Sequence, residues 1–181
     1  MSSDLIEFYL GAGPDHRGRR IADIWEWPDE ELERVHDYIQ WLFPLREKSG
    51  FNLNAPVLDE VAVSEFRRRP DLKQNLRRSL QRMLEFYGLD PSGDEPTRAE
   101  DAAGRLSVKY NERLREWVTY GNHNHLRITR ILKSLSELGL NREANDLFRT
   151  LEEIYRNEER KEFPGISEDT FRFWQGAISQ R

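Results

Sequence analysis

The chain has 181 residues and a formal net charge of −5, a length that fits one domain able to bury about 70% of its unfolded surface. It contains no cysteine, which excludes disulfide frameworks, thiolate zinc sites and cysteine nucleophiles. The negative charge disfavours attraction of the whole surface to nucleic acid or to a membrane. Charged residues make up 34% of the chain, but 5 Trp, 9 Phe and 6 Tyr accompany them. We therefore expect one ordered domain over residues 1–181.

No apolar run approaches the roughly 20 residues that a membrane-spanning helix needs. The first residues, MSSDLIEFYLGAG, lack a basic segment and carry an acid inside their apolar stretch. That pattern is not typical of a secretory signal peptide. We expect a cytoplasmic protein.

Helical periodicity dominates the first half of the sequence. A short amphipathic segment, Ile21 to Trp25, precedes Pro28. The next predicted helix is capped by Asp29 and ends before Pro44. Its core face consists of apolar residues at helical spacing: Leu32, Val35, Ile39 and Leu42. Residues 45–56 carry Gly, Ser, Asn and Pro, which predicts a loop.

A long helix is predicted from Pro70 to Gly88, with proline at its start and glycine at its end. Residues 90–96, DPSGDEP, predict an exposed linker. Thr97 and Glu100 then form a capping box for a helix that extends to Trp117. Its inward positions share helical spacing: Ala103, Leu106, Tyr110, Leu114 and Trp117.

Three further elements complete the prediction. A turn at residues 120–122 leads into a helix that ends at Gly139. Asn141 begins another helix, and Ser167 caps the last one. Strand signals are weak throughout, and the spacings between elements show no fixed repeat. The predicted fold is all-α: an irregular bundle of about eight helices with no significant sheet.

The string YIQWLFPLRE, residues 38–47, carries polar and aromatic side chains beside core positions. Trp41 and Tyr38 offer flat apolar walls, and Gln40 offers directional hydrogen bonds. Arg46 has the geometry to take a carboxylate or phosphate through two hydrogen bonds. The alternative is structural: Trp41 and Gln40 anchor the following loop, and Arg46 forms a surface ion pair.

The string NHNHLRITRILKSLSELGL, residues 122–140, combines a core stripe with a polar strip. The core stripe has the spacing of a buried helix face: Ile128, Ile131, Leu132, Leu135 and Leu138. The strip beside it contains His123, Arg127, Arg130 and Ser134. Asn124 falls on the apolar side, where a buried amide needs partners. The strip indicates either a held ligand or contacts with the protein's own acids.

The sequence gives little indication of a metal site, a dinucleotide site or a phosphate site. His123 and His125 are two residues apart and do not face each other on a helix, so no metal site is expected. GAGPDHRG, residues 11–18, has His16 where the third glycine of a dinucleotide loop belongs, so it predicts a turn. No cofactor is therefore expected. Arginine clusters at residues 17–20, 67–69, 77–82 and 127–133 leave phosphate binding open, but interleaved acids favour internal ion pairs.

Three strings in order, YIQWLFPLRE, LEFYGL (residues 84–89) and NHNHLRITRILKSLSELGL, resemble the conserved domain of the opioid growth factor receptor family. APVL, residues 55–58, also looks like the segment that follows the loop in that family. The resemblance extends from about Asp37 to Leu140, with a weaker match in residues 1–36 and 141–181. It implies a receptor for an enkephalin-type pentapeptide, associated with nuclear and membrane compartments, and it implies no catalytic residues.

Together these patterns predict a non-enzymatic helical binding module for a peptide or small anionic ligand. The expected site residues are Tyr38, Gln40, Trp41, Arg46, His123, Asn124, Arg127 and Arg130. A nucleic-acid or nucleotide-binding protein that uses converging arginines is the alternative, with no transmembrane segment in either case. An enzyme with His123 or His125 as a base is a third reading, which requires a carboxylate to orient the imidazole. The oligomeric state stays open.

Overall fold

The computed structural model describes residues 2–50, 52–90, 107–108 and 111–179. Within these ranges it contains ten helices and two strands of two residues each. The helices are α1 (Ser2–Tyr9), α2 (Ile21–Trp25), α3 (Asp29–Arg34), α4 (Ile39–Leu42), α5 (Glu60–Arg68), α6 (Pro70–Tyr87), α7 (Asn111–Trp117), α8 (Asn124–Glu137), α9 (Asn141–Glu158) and α10 (Glu168–Ser179). The predicted all-α class is confirmed.

The two strands, β1 (Leu89–Asp90) and β2 (Ser107–Val108), pair in antiparallel fashion. Leu89 faces Val108 and Asp90 faces Ser107 in the register. This ribbon is too small to change the fold class, because the helices bury the core residues of the described chain. An isolated parallel bridge between Leu45 and Val57 also closes the loop that precedes α5.

The chain divides into two compact units. Unit 1 consists of Met1–Arg82 and Glu137–Leu140, and unit 2 consists of Met83–Ser136 and Asn141–Arg181. The single domain expected from the length stays a prediction. Each unit is described by itself below.

Unit 1 has an aromatic core around Tyr9, whose side chain is fully buried. The Tyr9 hydroxyl donates to the carbonyl oxygen of Leu42, and its ring meets that of Phe66 edge to face at 4.6 Å. Burial raises the pKa of the Tyr9 hydroxyl, because the phenolate would be desolvated. The side-chain amide of Asn75 donates to the Tyr9 carbonyl oxygen at 2.6 Å. These bonds tie α1 to α4 and α6.

Unit 2 has a core built on two fully buried tryptophans, Trp117 and Trp174. Trp117 donates its indole N–H to the carbonyl oxygen of Tyr87 at 3.0 Å. Trp174 donates to the carbonyl oxygen of His125 at 3.2 Å, which fastens α10 to the start of α8. Apolar residues of α8 and α9 fill the space around them: Ile128, Ile131, Leu132, Leu135, Leu147 and Leu151.

The helix predicted between Asp29 and Pro44 is wrong in one respect: it is two helices. Val35, at the end of α3, is extended with φ −91° and ψ 135°, and α4 begins only at Ile39. The break places the Asp37 carboxylate beside three basic side chains of the segment before α2. Asp29 is also not the cap, since Pro28 holds the N-cap position and the Asp29 carboxylate accepts from Arg82 at 2.7 Å.

The prediction of one unbroken helix from Thr97 to Trp117 is wrong. Residues 107–108 form β2, and α7 begins at Asn111. The linker at 91–96, the capping box of Thr97 and Glu100, and the inward positions Ala103, Leu106 and Tyr110 lie outside the described residues. Strand pairing of 107–108 with 89–90 is a tertiary contact, which helical spacing could not reveal.

The other predicted boundaries are confirmed. The helix α6 begins at Pro70 and stops before Gly88, which has φ 74°. Gly139 follows α8 with φ 85°, a left-handed conformation that favours glycine at helix ends. The Ser167 hydroxyl accepts from the backbone N–H of Thr170 at 3.2 Å and caps α10.

Candidate functional site

Tyr38 is fully buried in unit 1, immediately before α4. Its hydroxyl donates to the carbonyl oxygen of Leu32 at 3.2 Å, and its ring meets that of Trp27 edge to face at 5.5 Å. The hydroxyl bond therefore spans the break between α3 and α4. Tyr38 supports the local backbone and presents no surface to solvent.

Trp41 lies on α4 and is only 6% exposed. Its indole N–H donates to Nδ1 of His16 at 3.0 Å, and the two rings are nearly parallel, at 11°. The opposite side of the indole meets Phe8 edge to face at 5.2 Å. Trp41 thus joins α1, α4 and the turn at residues 11–18. Its contact with His16 was not predicted from the sequence.

Gln40 is buried beside the backbone of residues 36 and 37. In the orientation that satisfies both of its polar ends, its amide nitrogen donates to the carbonyl oxygens of Asp37 at 3.1 Å and His36 at 3.3 Å. The Asp37 carbonyl oxygen also accepts from the side-chain amide of Asn52 at 3.2 Å. Gln40 therefore holds the loop between α3 and α4, whereas the structural alternative expected it to anchor the loop that follows.

The Asp37 carboxylate is the centre of a charged network that we call the Asp37 cluster: Asp15, His16, Arg17, Arg19 and Asp37. Arg19 donates to both acids, at 2.6 Å to Asp15 and 2.8 Å to Asp37. Arg17 and His16 approach the other Asp37 oxygen at 3.1 and 3.3 Å. The Asp15 carboxylate also accepts from the backbone N–H groups of Arg17 and Arg19, which fixes the turn.

This network sets the charge state of Asp37. Partial burial raises the pKa of its carboxyl group, but the hydrogen bond and charge of Arg19, aided by Arg17 and His16, outweigh burial. The net result is a pKa below the usual range for aspartate. The sequence offers one local signal for the cluster, an Asp followed closely by Gly in a turn, but no signal for its partner at Asp37.

Arg46 is the accessible member of the predicted set in unit 1, with 42% of its side chain exposed. Its guanidinium donates to both carboxylate oxygens of Glu60, at 2.5 and 3.3 Å, and lies 3.6 Å from Glu137. The hydrogen bond that Arg46 donates to Glu60 raises the pKa of Arg46, and the same bond lowers the pKa of Glu60. The guanidinium is therefore oriented and already paired.

An open hollow of about 390 Å³ lies along α5 in unit 1. Residues at one helical face line it: Glu60, Val63, Ser64, Arg67 and Arg68. Glu60 also accepts a hydrogen bond from Arg46, so the hollow lies next to the predicted anion-binding arginine. In the sequence, Arg67 and Arg68 stand out only as part of a basic run, but their spacing from Glu60 and Ser64 is the signal of a shared helix face.

The predicted site residues of unit 2 lie in the first half of α8 or immediately before it. Asn124 and Arg127 are buried, Arg130 is half-buried and His123 is exposed. The Asn124 side-chain oxygen accepts from Arg127 at 3.2 Å, while its backbone N–H donates to the side chain of Asn122 at 2.9 Å. The two buried residues are thus brought together, and Asn124 both extends the preceding turn and holds Arg127.

His125 is a structural imidazole. It is 5% exposed and lies between Trp117 and Trp174, with ring centroids 6.3 and 5.7 Å away. A carbonyl oxygen can only accept, so the contact of 2.9 Å with the Trp117 carbonyl fixes the proton on Nε2. Burial lowers the pKa of His125, which the hydrogen bond to Trp117 opposes and the nearby His123 reinforces.

The described ranges contain no group of three or more His, Asp or Glu side chains arranged to hold a metal ion. Among the helices that the structure describes, none is long and apolar enough to cross a membrane. Chemically, the accessible groups of unit 1 suit recognition of an anion by guanidinium groups.

The model of the opioid growth factor receptor conserved region matches residues 8–181 of this chain. The chain belongs to the opioid growth factor receptor family. The match covers both units, including the segments before Asp37 and after Leu140, where the sequence resemblance was weakest.

Individual relatives agree with the family match. Opioid growth factor receptor from Homo sapiens is 38% identical over 165 residues, which are 89% of this chain and 23% of the relative. Opioid growth factor receptor-like protein 1 from Rattus norvegicus is 38% identical over 121 residues, 66% of this chain and 24% of the relative. Opioid growth factor receptor from Mus musculus is 41% identical over 126 residues, 68% of this chain and 19% of the relative. The chain spans about a quarter of the length of such relatives, and no solved structure matches it.

Proposed function

We propose that this chain is a non-enzymatic helical module that binds a short peptide with an anionic end. The proposed site residues are Tyr38, Gln40, Trp41, Arg46, His123, Asn124, Arg127 and Arg130. Family membership supports the proposal, because relatives carry the name receptor for an opioid growth factor. The observation that carries it is Arg46: an exposed guanidinium whose orientation is fixed by Glu60 and Glu137 before any ligand arrives.

The site residues divide into two roles by burial. Arg46 in unit 1 and His123 in unit 2 are exposed, so each is the residue of its own unit that the proposal assigns to ligand contact. Tyr38, Gln40 and Trp41 are buried and hydrogen-bonded, so they are positioning residues for the segment that carries Arg46. Asn124 and Arg127, buried on α8, have the same role for the turn that carries His123, and the half-buried Arg130 lies between the two classes.

The non-enzymatic part of the proposal is supported by the state of two histidines, His16 and His125. Both ring nitrogens of His16 are engaged, one by Trp41 and one by Asp37, so no lone pair remains for proton abstraction. His125 has its donor on a backbone carbonyl, and no carboxylate of the described chain lies within hydrogen-bond reach of its ring. A general base needs both an accessible nitrogen and a partner that orients it.

Calorimetric titration tests the proposal. An enkephalin-type pentapeptide is titrated into wild type, Arg46→Ala and Arg34→Ala. Arg34 is the matched control because it is an exposed arginine of the same unit, paired with Glu31 at 2.5 Å. We expect binding to wild type and to Arg34→Ala, and binding about tenfold weaker to Arg46→Ala, the loss expected for one charge-assisted contact. No heat with wild type, or equal affinity in all three proteins, would reject the proposal.

A further inference from the structure

We infer that the hollow along α5 receives the carboxylate of the peptide ligand, with Arg67 and Ser64 as its direct partners. This inference rests on the proposed function, and it names a subsite that the sequence had not indicated. The hollow measures about 390 Å³, within the range of about 300–1,000 Å³ typical of ligand sites. Its lining combines two guanidinium groups, one hydroxyl, the Glu60 carboxylate and an apolar floor at Val63.

Arg46 and Arg67 differ in how far their guanidinium groups are already engaged by the protein's own acids. Arg46 already donates two hydrogen bonds to Glu60, so it contacts the ligand through its remaining N–H groups, and a two-pronged grip on the carboxylate falls to another arginine. Arg67 is different: its one hydrogen bond among the described residues runs from Nε to the carbonyl oxygen of Glu137, at 3.0 Å. No carboxylate oxygen of the described chain lies within 4.0 Å of its terminal nitrogens, which leaves the fork that suits a carboxylate available.

The same contacts hold Arg67 in place. The bond to the Glu137 carbonyl fixes one end of the guanidinium, and the aliphatic part of the side chain passes over Gly139. A Cβ on that glycine would lie 3.2 Å from Cγ of Arg67, so the missing side chain provides the space. A guanidinium restrained in this way loses less side-chain entropy when it binds an anion.

Ser64 lies one turn before Arg67 on the same face of α5, at the i, i+3 spacing that makes helix neighbours. It is exposed, and its hydroxyl has no partner in the described part of the chain. A hydroxyl beside a guanidinium offers a third donor to the same carboxylate. Arg68 is the weaker member, because its NH2 already donates to Glu65 at 2.7 Å.

Local charge is compatible with an incoming carboxylate. Glu60 at the edge of the hollow would repel it, but the bidentate contact with Arg46 offsets that charge. The net charge of −5 disfavours binding to an anionic membrane or to nucleic acid, because such partners are attracted by the charge of a whole surface. A single carboxylate depends on the local cations instead. A peptide end is therefore the occupant that the charges favour.

The test compares an enkephalin-type pentapeptide with a free carboxylate and the same peptide with a C-terminal amide. Both are titrated calorimetrically into wild type, Arg67→Ala, Arg67→Lys, Ser64→Ala and the control Arg34→Ala. Circular dichroism checks that each variant is folded. We expect wild type and Arg34→Ala to prefer the free acid by at least about tenfold. The preference should fall to near onefold in Arg67→Ala and stay reduced in Arg67→Lys, which keeps the charge but not the fork.

The outcomes separate the two proposals. Equal binding of both peptides to wild type overturns the inference and the recognition of an anionic end, and leaves peptide binding by the module standing. A free-acid preference that survives in Arg67→Ala and Ser64→Ala also overturns the inference, since another cation must then hold the carboxylate. No binding of either peptide to wild type overturns both.

Discussion

The indole N–H of Trp41 donates to Nδ1 of His16 at 3.0 Å, while Nε2 of the same imidazole lies 3.3 Å from the Asp37 carboxylate. Since Nδ1 accepts, the neutral ring must carry its proton on Nε2, towards Asp37. Trp41 therefore selects the tautomer that joins the turn at residues 11–18 to the segment before α4. The residue that looked like an aromatic wall in the sequence is a connector inside unit 1.

This connection predicts a cost for removing the indole donor. Trp41→Phe keeps an aromatic ring against Phe8 but leaves Nδ1 of His16 without its donor. We expect the free energy of unfolding to fall by at least about 1 kcal/mol, the usual penalty for an unsatisfied buried acceptor. Trp27→Phe is the control, because the described chain gives its indole N–H no acceptor, and its effect should be smaller. Urea unfolding followed by circular dichroism measures both, and equal losses would contradict the assignment.

His125 predicts how stability responds to mild acid. Its pKa is lowered by burial in the native state, whereas the unfolded chain binds a proton near the ordinary value of about 6.5. As the pH falls below that value, the unfolded state gains protons first, so the free energy of unfolding decreases. The stabilisation is fully present above about pH 6.5 and is lost as the pH falls towards the native pKa.

The measurement is urea unfolding at pH 7.5, 6.5 and 5.5. His125→Phe should be less stable than wild type at pH 7.5, because the Trp117 carbonyl loses its donor, but should change less between pH 7.5 and 5.5. His123→Gln removes only the smallest of the three contributions to the pKa of His125, so it should reduce the slope less than His125→Phe does. A wild-type stability that is flat over this range would contradict the buried neutral imidazole.

The long helices could be predicted from local sequence patterns, because each of them buries a stripe of its own apolar residues at helical spacing. The stripe of α8 and the proline and glycine boundaries of α6 are properties of consecutive residues, and both were visible in advance. The break at Val35 was not visible in advance, and neither was the contact that follows it, between Asp37 and Arg19, 18 positions away. Helical spacing carries no information about such a partner.

The candidate site shows the same division. The spacing that marked Trp41 and Asn124 as special was informative, but the structure gives them internal hydrogen bonds. Whether a residue contacts a ligand or supports the fold depends on its burial. Its burial in turn depends on the packing of elements that are distant in the sequence. The hollow along α5 was missed for a related reason: one helical face marks the lining residues, but only the fold shows that Arg67 lacks a carboxylate partner among the described residues.

The Asp37 cluster predicts a second, lower pH window. The pKa of the Asp37 carboxyl group is below its ordinary value, so its contribution to stability is fully present above about pH 3.9 and is lost as the pH falls through the native pKa. Asp37→Asn should lower stability at pH 7 and reduce the further loss between pH 4 and pH 2. Asp169→Asn is the control, since that exposed acid has one contact at 3.9 Å, with Arg172. Identical acid profiles for Asp37→Asn and wild type would contradict the role of the cluster.

Two glycines of unit 2 give opposite predictions for the same substitution. A Cβ on Gly165 would lie 2.3 Å from the carbonyl oxygen of Val118, a contact that only a backbone shift can relieve. The Gly165 N–H also donates to the Glu158 carboxylate at 3.1 Å, so a shift would strain that bond. Gly165→Ala should therefore lower the free energy of unfolding by about 1–3 kcal/mol.

Gly176 is the matched position, exposed within α10, where a Cβ meets nothing within 4 Å. Gly176→Ala should raise the free energy of unfolding by about 0.5–1 kcal/mol, because alanine loses less backbone entropy when a helix forms. Thermal and urea unfolding of both variants, measured side by side, test the pair. A neutral Gly165→Ala would mean that the 163–165 segment does not rest on Val118, and a destabilised Gly176→Ala would mean that α10 is not exposed on that side.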